Sequence, residues 1–407
     1  MIKSMNNFTF YNPTKIIFGR NTITSSLKQN VPKNSRILLT YGKGSIFKNG
    51  VYNQAIKGLE GNGHKIFEYG GITPNPRYKH GMEAVELIKK NDINFLLALG
   101  GGSVLDLTKF MSVASCWTKG GDPWIMYQKR TIPKYSPTGA LPIADVMTIP
   151  AAGSEANCGS VVTREYPTQN RKIGLAHPLM FPKFSVLDPE ITFTLPWRQT
   201  RNGIVDSFVH IIEQYVNSLS NNPIIDGFSE TLLKTLIDSS YVLLKKPKDY
   251  GARANIFWAS SCALNGIIRT GIYETDFVMH HLGHEITALT EADHGLTLAV
   301  LLPAVWKNQF EIKKEKLARY AENVWGIKYG SIEEKAKKAI DFTVNWLHDI
   351  KMPTNLSACG KVDPKLFPKM ADQAIKYWAP VKGSKGLGQF GNLGVKECVE
   401  IYKTCEK

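Results

Sequence analysis

The apolar run INFLLALGGGS, residues 93–103, constrains the fold more than any other stretch of the chain. It is short, lacks polar alternation and ends in glycines, as a strand buried on both faces of a parallel sheet does. The residues that follow, VLDLTKFMSVAS, continue as a helix, so the glycines mark a strand-to-helix turn. The unit recurs upstream, where SRILLTYG at 35–42 is a second apolar run ending in glycine. Between the two runs, GVYNQAIKGLEGNG and PRYKHGMEAVELIKKND carry helical periodicity, and downstream VMTIPAAGSE ends at a third small-residue turn. Strand, turn and helix in repetition predict an α/β domain with a mostly parallel sheet over residues 1–190.

Near SVLDPEITFTLPWRQT the pattern changes. Beyond Pro196 come long apolar or amphipathic helical segments, among them GIVDSFVHIIEQYV, ARANIFWASSCALNGII, FVMHHLGHEITALT and LTLAVLLPAVWKNQF. Pro and Gly punctuate them as helix-to-helix connections do. Residues 191–407 are therefore predicted to form an all-α domain, and 407 residues are enough for two sizeable cores.

Composition narrows the class. Hydrophobic content of 43% and charged content of 21% are ordinary for a globular protein. No apolar run reaches the roughly 18–20 residues that a membrane span needs. The opening MIKSMNNFTFYNPTKIIFG has no h-region and no cleavage pattern, which predicts a cytoplasmic protein without membrane partners. The six cysteines form no CxxC pair and no disulfide framework. A formal charge of +15 raises the question of nucleic acid. The basic residues are dispersed, however, and KKEK at Lys313 and EEKAKK at Glu333 read as solvated helix faces, so no nucleic-acid partner is expected.

Three turns can carry cofactor chemistry. In GGGSVLD, Gly101 and Gly102 let backbone N–H groups approach a pyrophosphate, and the helix N-terminus favours its charge. Ser103 is a candidate cap for that helix. A turn that serves geometry alone is the alternative, because the spacing is not GxGxxG. TYGKGS offers Gly42, Lys43 and Ser45 where an NAD site usually places a carboxylate, a composition suited to an adenosine 2′-phosphate or to a plain surface loop. PAAGSE is nonspecific taken singly.

Asp206 and His210 lie four apart in an apolar helix, and so do His280 and His284 in FVMHHLGHEITALTEADHG, which His294 closes. Residues at i and i+4 share one helix face. A carboxylate with three imidazoles, Asp206, His210, His280 and His294, suits iron(II) or zinc(II). Spacing alone leaves this open against histidines held in ordinary packing.

On these residues the chain resembles the iron-containing (group III) alcohol dehydrogenases, in their NADPH-dependent butanol dehydrogenase and aldehyde reductase branch. The resemblance runs from FTFYNPTKIIFG through YGKGS, TPNP, GGGSVLD, PAAGSE, LDP…TLPWRQ, GIVDSFVHIIEQY and HHLGHE…DHG to LGVKECVEIYK. It implies the dehydroquinate synthase-like fold of that family, with an α/β dinucleotide-binding domain, a helical metal-binding domain and an active site in the cleft between them. It implies Asp206, His210, His280 and His294 as ligands of one divalent metal, iron or zinc, with His284 a non-ligand histidine of the substrate cleft. NADP(H) is implied at GGGSVLD, with Asp106 toward the nicotinamide, at TYGKGS for the 2′-phosphate, and at Asn75 and Thr148. One departure is Ala152, where the family usually carries threonine; the resemblance then implies one hydrogen bond to cofactor fewer, worth about 0.5–1.5 kcal/mol. Lys43 also departs from the glycine often found in this branch.

The expected activity is interconversion of short- to medium-chain aldehydes and primary alcohols, with the metal as Lewis acid on the carbonyl oxygen. His284 is the candidate proton relay. The resemblance and the apolar segment FTFYNPTKIIFG imply a homodimer sharing an edge strand. A glycerol dehydrogenase-like or dehydroquinate synthase-like enzyme of the same superfold is the alternative; a metal-dependent hydrolase would need no glycine turns for a dinucleotide.

Overall fold

The computed structural model describes residues 5–167, 170–217, 222–272 and 274–406. By internal contacts the chain falls into two compact units, Asn12–Pro196 and Trp197–Lys407, with the segment preceding Asn12 counted in the second. In that segment Asn6 N–H donates to Gly271 O at 2.9 Å.

The first unit carries strands β1 (Lys15–Phe18), β2 (Arg36–Tyr41), β3 (Lys65–Tyr69), β4 (Phe95–Gly100), β5 (Ile143–Met147), β6 (Gly159–Arg164), β7 (Arg171–Ala176) and β8 (Phe184–Leu187). Six of them form one sheet in the order β1-β8-β5-β4-β2-β3, and every pairing in it is parallel. All residues of β4 and β5 are buried, as expected for strands covered on both faces. On one face Ile37, Leu39, Leu97, Leu99, Val146 and Val186 pack with Ile23, Leu27, Val51 and Ala55 of two covering helices. Strands β6 and β7 form a separate antiparallel pair, which the strand–turn–helix reading did not include.

The order of the large sheet positions the turns. From β2 the chain leaves toward β3, and from β4 it leaves the other way, toward β5. The neighbouring ends of β2 and β4 are thus a topological switch point, where loops diverge and leave a crevice outside the sheet. TYGKGS follows β2, GGGS closes β4, and PAAGSE lies beyond β5, so the three turns stand side by side at the carboxyl ends of adjacent strands.

The second unit is helical, with no strand among its described residues. Its centre is the helix Trp197–Tyr215, in which every residue from Gly203 to Tyr215 is buried. Phe208 packs on Trp346 with ring centroids 4.6 Å apart, and Ile204, Val205, Ile211 and Ile212 join the same core. A helix packed on all sides has no solvent face for polar side chains, so each acid or imidazole in it needs a partner inside.

Candidate functional site

Asp206 and His210 project from one face of the Trp197–Tyr215 helix, and His280 reaches the same point from the helix Val278–Thr290. One ligand atom from each of the three lies within 4.8 Å of the other two, and all three residues are buried. Asp206 Oδ1 is 3.1 Å from His210 Nδ1, 3.6 Å from His280 Nε2 and 3.9 Å from His294 Nε2. His294 opens the helix His294–Asn308 and is placed by its neighbour Asp293, whose Oδ2 accepts from Arg198 Nε at 2.7 Å and Asn202 Nδ2 at 2.6 Å.

The donor set fits a dication. Despite their proximity, Asp206 Oδ1, His210 Nδ1 and His280 Nε2 make no hydrogen bond of acceptable geometry. Leaving such buried atoms unpaired costs about 1–3 kcal/mol each, so the arrangement favours one common partner. A tetrahedral ion with bonds of ~2.1 Å separates its ligand atoms by roughly 3.4 Å, comparable to the spacing around Asp206. Charge leads to the same place. Burial alone would raise the Asp206 carboxyl, but the adjacent His210 and His294 imidazoles hold it well below its usual range. Burial and the nearby His280 keep His210 low, which preserves the neutral imidazole that a metal requires. Burial works against a charged His280, yet the Glu213 and Asp206 carboxylates lift it to about 9. Two buried carboxylates thus draw positive charge to this point, as a proton on His280 or as a metal ion.

Around this cluster the rings continue. The His284 ring is 5.4 Å from that of His294, and Trp378 stacks on His281 at 4.3 Å and stands 5.6 Å from His284. Glu213 was not singled out in the sequence, although it lies in the same helix, three residues after His210. Its Oε2 accepts from His280 Nδ1 and its Oε1 from Met279 N–H at 2.6 Å. A second acid in an already apolar helix was the available signal.

In the other unit the glycine turn is set by sterics. A side chain at Gly100 would meet Val104 at 2.5 Å, and one at Gly101 would meet Ile149 at 3.1 Å. At Gly102 the nearest atom is Ala152 Cβ at 3.7 Å, so close packing does not demand this glycine and its side is open. The following helix, Gly102–Ser115, has Gly101 as its N-cap and no side-chain cap. Ser103 therefore lies inside the helix and is not its cap, contrary to expectation, because the chain enters the helical conformation two residues earlier than a serine cap requires. Thr148 N–H donates to Gly100 O at 2.9 Å, which ties the β5 turn to the β4 turn.

Asp106, one turn into the same helix, accepts from Ser154 Oγ at 2.7 Å and Val161 N–H at 2.9 Å. Beneath it Lys109, fully buried, donates to Ser154 O, Ser154 Oγ, Asn157 O and Gly159 O at 2.7–2.9 Å. These bonds fasten PAAGSE to the helix that follows the glycines. Asn75 has φ +53°, a left-handed conformation that asparagine tolerates, and its Oδ1 accepts from the buried Lys172 Nζ at 3.0 Å. Gly42 follows β2, with Lys43 and Ser45 exposed beyond it. Lys109 and Lys172 were missed in the sequence, where each reads as an ordinary surface lysine.

Known proteins match over both units. Residues 13–189 fit the family model described as iron-containing alcohol dehydrogenase, and residues 200–405 fit the C-terminal model of the Fe-containing alcohol dehydrogenase family. The chain is 44% identical to the NADPH-dependent aldehyde reductase YqhD of Escherichia coli K12, over 98% of this chain and 99% of that one. It is 35% identical to NADH-dependent butanol dehydrogenase B of Clostridium acetobutylicum, again over 98% and 99%. A crystal structure of E. coli K-12 YqhD superposes with a TM-score of 0.91 at 40% identity and covers 99% of each chain. With both halves matched in order and nearly full-length likeness at these identities, the chain belongs to the iron-containing alcohol dehydrogenase family.

Proposed function

We propose that this chain is a metal-dependent, NADPH-dependent alcohol dehydrogenase and aldehyde reductase that interconverts short- to medium-chain aldehydes and primary alcohols. The observation that carries the reading is the buried convergence of Asp206, His210 and His280 in a member of this family. The names of its relatives, an NADPH-dependent aldehyde reductase and a butanol dehydrogenase, support the substrate class.

Asp206, His210, His280 and His294 would hold one divalent ion, iron or zinc. Bound metal supplies Lewis acidity toward a carbonyl oxygen, and NADPH supplies hydride. The chain's own residues do the positioning. Gly101, Gly102 and Ser103 present backbone N–H groups to the pyrophosphate, with Thr148 and Asn75 lining the nucleotide. Lys43 and Ser45 meet the 2′-phosphate. Asp106 supports the glycine turn from below, through Ser154 and Val161. His284, buried beside His294, moves the proton that the product hydroxyl requires.

Two finer points belong to the same proposal. A homodimer would use the outer edge of β1, which pairs only with β8 among the described strands; Phe18 at its end is exposed, as are Phe8, Phe10 and Tyr11 before it in sequence. Cytoplasmic residence suits six cysteines that form no disulfide. No described helix is long and apolar enough to cross a membrane.

The test is an assay of purified protein with NADPH and with NADH over aldehydes of increasing chain length. NADPH-driven reduction that peaks among short to medium chains is the expected result. Absence of reduction with either cofactor across the series contradicts the proposal.

A further inference from the structure

The helix Val278–Thr290, which carries His280, begins without a cap of its own. Its N-cap is Phe277, at φ +60°, a left-handed conformation uncommon for a bulky residue, and no side chain of the 277–290 segment caps the first turn. The missing acceptor comes from another helix. Glu213, 2% exposed and one turn beyond His210, accepts Met279 N–H on Oε1 at 2.6 Å and His280 Nδ1 on Oε2, while its backbone carbonyl accepts Asp276 N–H at 3.0 Å. Asp276 is held in turn by the buried Lys313 at 2.5 Å, and Lys313 also donates to Val216 O at 2.9 Å. The bend at 276–280 is thus tied to the end of the helix that carries Asp206 and His210.

The chemistry of the acceptor matters as much as its place. An ionised carboxylate only accepts, so the proton on the His280 ring must sit on Nδ1. Nε2 is then the ring nitrogen left for a metal, and it is the atom 3.6 Å from Asp206 Oδ1. We propose that Glu213 is a positioning residue of the metal centre: it fixes the tautomer and ring orientation of His280 while capping the helix that delivers it. The inference rests on the metal reading above. It adds an outer-shell carboxylate to the centre and makes the 203–215 segment responsible for three parts of it: Asp206, His210 and the control of His280.

The test is competition for cobalt(II) and zinc(II) against a chromogenic chelator, in wild type and Glu213→Gln. Glutamine retains a carbonyl oxygen for Met279 N–H but presents an NH₂ group to His280 Nδ1, which disfavours the ligating tautomer. The expected result is a metal affinity roughly 10–100-fold weaker and an altered visible spectrum of the cobalt form. A purely structural role for Glu213 would lower the metal-free melting temperature and leave the metal affinity and the cobalt spectrum unchanged. Wild-type affinity and spectrum in Glu213→Gln overturn the inference alone, whereas wild-type protein that binds neither metal overturns the metal reading with it. Should the variant fail to fold, ¹⁵N-histidine spectra of the zinc-loaded wild type decide: the His280 proton is expected on Nδ1, and a proton on Nε2 overturns the inference.

Discussion

Asp206 Oδ1 and His210 Nδ1 stand 3.1 Å apart, one helical turn from each other, yet are not aligned for a hydrogen bond. In a helix otherwise filled with Ile, Val and Phe, two polar groups that approach without bonding are costly unless a third species satisfies both. His280 meets them from a second helix, which makes the cost a shared one and a single ion the economical answer.

Removing either member of this pair is expected to cost more metal affinity than the ~10–100-fold associated with an outer-shell partner. His210→Ala and Asp206→Ala should each purify with little bound iron or zinc. Metal content by elemental analysis checks this, and wild-type stoichiometry in both variants contradicts it.

Lys109 fastens the PAAGSE turn, the proposed nucleotide site, through four bonds of 2.9 Å or less to the 154–159 segment. Lys109→Met leaves buried acceptors unpaired and is expected to destabilise the protein by about 1–3 kcal/mol. The loosened turn should also raise the KM for NADPH more than that for the aldehyde. Denaturant unfolding and steady-state kinetics measure the two effects, and equal shifts in both KM values contradict the placement.

Lys43 is exposed, so the proposed contact with a 2′-phosphate would be worth only ~0.2–1 kcal/mol after screening. Lys43→Ala is accordingly expected to lower the NADPH/NADH ratio of kcat/KM by about 1.4–5-fold. An unchanged ratio removes Lys43 from the cofactor site.

Burial pushes the Asp145 carboxyl, in the middle of β5, up to about 8 from its ordinary 3.8, with the bond from Ser185 opposing the rise. Between those values the folded state keeps a proton that the unfolded chain releases, so this group makes stability fall as pH rises through the window. Asp145→Asn cannot ionise. Its melting temperature relative to wild type should therefore climb from about pH 4 to about pH 9, and a difference that stays flat across this range contradicts the assignment.

What the sequence made legible follows from how local each signal is. Asp206 and His210 stood out because i, i+4 spacing and an apolar background are visible within one turn. The glycines after β4 stood out because an apolar strand precedes them directly. Glu213 was passed over since its partners, Met279 and His280, lie more than sixty residues away, and only packing brings them to it. Lys109 looked like any helix cation until the 154–159 segment closed over it. The β6–β7 pair was missed because GSVVTR and RKIGLA are short and the intervening sequence EYPTQN lacks the glycine pairs that mark a tight hairpin. Ser103 was misplaced by two residues, the usual scale of error at a helix end.

The central claim, that a metal held by Asp206, His210, His280 and His294 makes the chain an aldehyde reductase, is tested most directly by metal removal and return. Purified protein is stripped with a chelator, assayed for NADPH-dependent reduction of butanal, then reloaded with iron(II) or zinc(II) and assayed again. Activity is expected to vanish with the metal and to return with it in wild type but not in Asp206→Ala/His280→Ala. Full activity in the metal-free double variant would contradict it.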